Sequence, residues 1–209
     1  MAFRGARFGA LAAVTLIWGS TWAAIRLGLT DVPPFAGVAL RFGVAALVLF
    51  GMARALGVRL GSSRREVALW LVNGLGTFVF TYGVVYWAEQ RVPSGLTSIL
   101  FATFPLFVAV LAHVALPGDR LRPVSALGVV AGFAGVALIF SEDLAAVAAP
   151  GAGGAALWIL VASLAAAVAN VAVKRWGEGI HPVALIAPPM ALAAEIGRAS
   201  CRERVSSPV

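Results

Sequence analysis

Apolar residues run along this chain in blocks of about twenty, the length a helix needs to cross the hydrocarbon of a bilayer. Six blocks stand out: Phe8–Leu29, Phe35–Ala55, Val67–Trp87, Gly95–Leu116, Val124–Phe140 and Ala155–Val173. A seventh begins at Val183 and stops at Ala194. Membrane strands would alternate polar and apolar residues, and these blocks do not, so each predicts a helix. Proline punctuates the joints at Pro33-Pro34, Pro93, Pro117, Pro123 and Pro182, where a missing N–H in a first helical turn costs nothing. The expected fold class is an all-α integral membrane bundle.

Composition narrows the picture. Hydrophobic residues make up 61% of the 209 and charged residues 12%, against roughly 25% charged in soluble domains. The net charge of +7 comes from short basic clusters between apolar blocks, not from one continuous basic face. That distribution argues against nucleic acid and for a membrane protein. Arg4, Arg7, Arg54, Arg59, Arg64, Arg65, Arg120, Arg122, Lys174 and Arg175 fall on one side if the blocks alternate. The positive-inside rule then places the N-terminus in the cytoplasm of a multi-pass protein of the cytoplasmic (inner) membrane.

The segment Phe8–Pro34 can be laid over Ala156–Pro182 at an offset of 148, so that Arg26 meets Lys174 and Pro34 meets Pro182. Five helices separate the copies, which makes the second an inverted repeat of the first, a common transporter plan. The expected division is a first five-helix repeat over 8–140, an inter-repeat loop over 141–154 and a truncated second repeat over 155–194. Residues 195–209 are read as a foreign tail, because Glu195–Val205 back-translates in one frame onto a short-read sequencing adapter. On that reading the seventh helix is cut short.

Four stretches carry a family resemblance: Trp18-Gly19-Ser20-Thr21-Trp22; Leu40-Arg41-Phe42; Tyr86 through Gln90 and Pro93 through Leu96 on to Phe104-Pro105-Leu106; and Gly128-x3-Gly132-x2-Gly135-Val136-Ala137-Leu138. In these the chain resembles the drug/metabolite transporter superfamily, EamA type. The resemblance implies ten helices in two inverted halves. It also implies a secondary carrier moving amino acids, metabolites or drugs, by efflux and alternating access, with a proton gradient as one driving force. The other readings are a non-transporting membrane enzyme or assembly subunit, and an inactive transporter fragment.

Polar residues inside the blocks are the candidates for a substrate cavity, since polar side chains in lipid turn toward other helices or water. They are Trp18, Ser20 and Thr21 in the first block, and Arg41 in the second. Asn73, Thr77, Tyr82 and Tyr86 follow in the third, with Ser94, Ser98 and Pro105 in the fourth. Asn73, Thr77 and Thr81 recur at i, i+4 and i+8, so an α-helix would align them on one face. Arg41 is costly in hydrocarbon and reads as an anion contact, or as a structural ion pair with Glu89. Glu89, closing the third block, reads as a proton-coupling group or that same ion pair. Pro105 predicts a kink, and Gly128, Gly132 and Gly135 predict close helix packing. No catalytic motif, metal site or cofactor is expected; the partners are a small-molecule substrate and lipid, and the sequence leaves the oligomeric state open.

Overall fold

The computed structural model describes residues 2–119, 122–139 and 152–206, and every regular element among them is helical. The elements are α1 (Ala2–Gly28), α2 (Pro34–Ala55), α3 (Arg64–Asn73), a π-helical stretch (Gly74–Thr81), α4 (Tyr82–Ala88), α5 (Ser94–Phe101), α6 (Phe104–Ala115), α7 (Pro123–Ile139), α8 (Ala152–Trp176) and α9 (Pro182–Ser206). Five stretches are long and apolar enough to span a bilayer: Phe8–Gly28, Pro34–Ala55, Arg64–Ala88, Ser94–Ala115 and Ala152–Trp176. The fifth expected run appears as α7, which at 17 residues is shorter than the others. Most of the expected inter-repeat loop lies outside the described residues.

The helix boundaries follow from local chemistry. Pro34 and Pro182 each open a helix. Ser63 and Glu66 form a capping box at the start of α3. The Ser63 hydroxyl accepts from the Glu66 backbone N–H at 3.2 Å, and the Ser63 N–H donates to Glu66 Oε2 at 3.0 Å. The fourth span breaks between α5 and α6 at Ala102-Thr103, which leaves Pro105 in the first turn of α6. At the break the Thr103 hydroxyl donates to the Leu100 carbonyl at 2.6 Å and lies 3.0 Å from that of Ser163 on α8.

The third span is not a plain α-helix, and this changes the expected polar face. Its centre is π-helical, with wider turns than the i, i+4 register assumes. Asn73, Thr77 and Thr81 therefore diverge. Asn73 donates to the Leu185 carbonyl of α9 at 3.3 Å. Thr81 shares its one hydroxyl proton between the carbonyls of Gly76, at 2.8 Å, and Ala162 on α8, at 3.0 Å. Thr77 Oγ1 is buried without a partner.

The prolines of α9 explain why Asn73 reaches across. Pro188 and Pro189 lie inside that helix and lack N–H groups, so the carbonyls of Ala184 and Leu185, four residues back, lose their helical donors. Trp70 Nε1 donates to Ala184 at 2.8 Å, and Asn73 Nδ2 to Leu185. Gly74 permits this approach: a Cβ there would stand 3.0 Å from Leu192 Cδ2 and 3.4 Å from the Pro189 Cα.

α8, with α9, forms the inner part of the bundle. α8 buries a row of small residues, Ala155, Ala156, Ala162, Ala166 and Ala167, which let neighbours come close. α9 packs along α2. By contrast α1 exposes Leu11, Leu16 and Ile17, as lipid-facing residues do, and among the described residues Trp22, Ile25 and Arg26 tie it to the rest. Gly128, Gly132 and Gly135 of α7 do not mark a close approach, since a Cβ at each would meet nothing within 4 Å. α7 turns Val124, Leu127, Val130 and Leu138 outward instead.

Basic residues gather at one end. Arg65 donates to the carbonyls of Trp176 and Glu178 at 2.5 and 2.9 Å, Lys174 pairs with Asp119, and Arg175 donates to the Ala115 carbonyl. Arg26 and Glu89 meet elsewhere, where α1 and α4 end.

Candidate functional site

A cavity of about 90 Å³ opens between α1, α2, the end of the π stretch, α4 and α5. Ile17, Trp18, Thr21, Trp22, Ile25, Arg41, Thr81, Tyr82, Val85 and Phe101 line it. Water occupies roughly 30 Å³ per molecule, so the space holds about three waters. Sites for organic ligands run to about 300–1,000 Å³. The space is smaller than an organic solute needs, and its α1 wall is largely exposed, Ile17 and Trp18 facing outward.

Arg41 is the charged group in this lining. Its guanidinium carbon stands 5.1 Å from the Tyr82 ring centroid and 5.9 Å from that of Phe42, within cation–π range. The Tyr86 side chain lies beside it. No carboxylate among the described residues pairs with it. Phe42, Phe78 and Tyr82 hold one another edge-on or stacked at 4.9–6.5 Å, and this fixes the Tyr82 ring under the cation. Trp22 and Phe101, 5.4 Å apart, form the opposite wall. The site thus presents an unneutralised cation inside an aromatic enclosure, which suits an anionic head on an apolar body.

The sequence candidates divide. Trp18, Thr21, Arg41 and Tyr82 line the cavity. Tyr86 stands behind Arg41, packed so closely on α2 that a Cβ on Gly37 would come 2.8 Å from its Cε1. Ser20 is exposed and donates to Leu16 and Ile17 of its own helix. Ser98 donates to the Gly95 carbonyl, and neither it nor Ser94 lines the cavity. Asn73 and Thr77 lie away from the cavity. Pro105 lines a separate hollow of about 500 Å³ at the basic end, beside Asp119, Arg122 and Lys174. Trp22, Ile25, Val85 and Phe101 were missed, because an apolar residue in an apolar block carries no signal until the helices are placed.

The expected Glu89–Arg41 ion pair is not formed. Glu89 is fully buried, and neither carboxylate oxygen has a hydrogen-bond partner. The cation beside it is Arg26 of α1, which donates to the Glu89 backbone carbonyl. Glu89 lies just past the third span, and burial pushes its carboxyl up to about 7 while Arg26 opposes the rise.

Fold and site together define a polytopic helical membrane protein with a cationic, aromatic-walled cavity between its helices. Residues 7–141 match the EamA-like transporter family, and the chain belongs to that family. It is 35% identical over 163 residues to the uncharacterized transporter YoaV of Bacillus subtilis (strain 168), covering 76% of this chain and 53% of YoaV. It is 33% identical over 125 residues to the aromatic amino acid exporter YddG of Ancylobacter novellus, covering 59% of this chain and 42% of YddG. One crystal structure superposes with a TM-score of 0.75 at 24% identity, covering 94% of this chain and 66% of the other, a likeness of fold alone. The chain spans about half the length of the curated relatives it matches.

Proposed function

We propose that the chain forms the Arg41 half of a secondary carrier that exports amino acids with large apolar side chains by alternating access. The observation that carries this reading is the unneutralised Arg41 guanidinium over Tyr82 in an aromatic cavity. A substrate carboxylate would complete the charge, and Trp18, Trp22 and Phe101 would take the side chain. YddG, a relative, is an aromatic amino acid exporter by name. The N-terminus lies in the cytoplasm on this reading, by the positive-inside rule. The five-helix unit over 8–140 and the inverted partner begun at 155–194 supply the two bodies that rock, and α9 runs on past Ala194 to Ser206, with Gly197 packed against Phe35 and Ala39 of α2.

The test is counterflow of radiolabelled phenylalanine in proteoliposomes. Wild type exchanges it, Arg41→Ala abolishes exchange at unchanged protein level, and Arg41→Lys retains part. Full exchange by Arg41→Ala removes the carboxylate role. A wild type that exchanges no amino acid removes the substrate class.

A further inference from the structure

We propose that Glu89 is a proton-binding site that governs the junction of α1 and α4. The site binds a proton while that junction is closed and gives it up to water when the junction opens. The inference extends the carrier reading by supplying its gate, yet its evidence and its test involve no substrate.

The geometry is that of a carboxyl group enclosed without a counter-charge in place. The Glu89 side chain is fully buried and both oxygens lack partners. Its chain neighbours Ala88 and Val92 pack with Leu96 of α5 and with Ala152, Ala155 and Ile159 of α8, a wholly apolar cluster. A buried ionised carboxylate must be paired and hydrogen-bonded, and otherwise it takes the neutral form.

The charged and titratable groups around it are few. α1 brings Arg26, whose guanidinium is engaged by the Glu89 backbone carbonyl. Glu89's own segment brings Tyr86 and Arg91, and Arg91 lies outside, 4.1 Å over the Trp87 ring. α2 brings Arg41, one step removed beside the Tyr86 side chain. α9 packs Ala193 into the Tyr86 cluster, but its Glu195 is exposed and paired with Arg198. The α5 and α8 residues of the apolar cluster carry no titratable group.

Arg26 links the proton to motion. Among the described residues its bond to the Glu89 carbonyl is one of the few ties of α1 to the bundle. When α1 swings away, Arg26 leaves with it, water reaches the carboxyl, and the acid passes its proton to that water. Closure reverses the transfer, so the closed form takes up one proton from the medium. Acid favours the closed junction and alkali the open one.

Two measurements on the intact chain in nanodiscs test this. The first is infrared pH titration of the protonated carboxyl C=O band, comparing wild type with Glu89→Gln. The expected result is a band at neutral pH that fades as pH rises and is missing in Glu89→Gln. Its absence in wild type overturns the proposal. The second uses a Cys201→Ser background with a reporter cysteine at Val92, which is 1% exposed. Labelling by an impermeant maleimide is normalised to an Asp31→Cys control, so the pH dependence of the thiol cancels. The normalised rate should rise about tenfold with pH and stay low and flat in Glu89→Gln. Equal pH dependence with and without Glu89 overturns the gating role, and phenylalanine counterflow bears on neither readout.

Discussion

Asn73 donates its side-chain N–H to the carbonyl of Leu185, the carbonyl that Pro189 leaves without a helical donor. Trp70 does the same for Ala184 and Pro188. A polar residue in the middle of a membrane helix thus serves the backbone of a neighbouring helix, away from the solute. Asn73→Leu should lower stability by about 1–2 kcal/mol, since the orphaned carbonyl has no water to turn to. Counterflow per folded molecule should be unchanged. Reversible denaturation in mixed micelles measures the first and proteoliposome exchange the second; lost exchange at full stability would return Asn73 to the cavity.

Tyr82 should act through Arg41. Removing the ring with Tyr82→Leu takes away about 0.5–2 kcal/mol of cation–π attraction, which corresponds to a roughly two- to thirtyfold weaker half-saturation for exchange. Tyr82→Phe keeps the ring face and should stay within about threefold of wild type on the same scale. If the two variants behave alike, the hydroxyl and not the ring face matters.

Gly37 and Tyr86 should couple. A Cβ at Gly37 would meet the Tyr86 ring at 2.8 Å, so Gly37→Ala forces either α2 or the ring to shift. Overpacking of this kind costs about 1–3 kcal/mol. Tyr86→Leu should recover much of that loss, because the two sites touch and their effects are not additive. A double-mutant cycle of thermal unfolding checks this, and additive effects would mean that the helices simply part.

The topology is open to a direct check. In the Cys201→Ser background, Arg59→Cys should be labelled only from the cytoplasmic side, and Asp31→Cys only from the opposite side. The reverse pattern would invert the orientation without disturbing the fold.

The Asp119–Lys174 pair should contribute little to stability. Both side chains are well exposed, at 43% and 62%, and exposed pairs are worth about 0–1 kcal/mol. Asp119→Asn should therefore shift the unfolding midpoint only slightly in mixed micelles. A loss of several kcal/mol would show that the pair is shielded in the bilayer.

The helices could be read from the sequence because their signal is local. A block of apolar residues ended by proline and arginine leaves a chain in lipid little choice but to satisfy its hydrogen bonds within one helix. Arg41 stood out for the same reason, as a charge where charge is expensive. What the sequence could not carry was register and partnership. The i, i+4, i+8 spacing of Asn73, Thr77 and Thr81 assumes an α-helix, and the π-helical stretch breaks that assumption. The glycines of α7 read as a packing motif, yet packing needs a facing helix, and none comes within reach of them among the described residues.

The sequence by itself therefore determined the solvent, the helices, their likeness to a family and the one costly cation, since each depends on residues close in the chain. The tertiary structure decided that Arg41 faces Tyr82 and not Glu89, that Trp22 and Phe101 close the cavity, and that Glu89 lies buried beside Arg26. Those facts depend on helices distant in the chain, and their contacts are set by shape and by which backbone groups are left without donors.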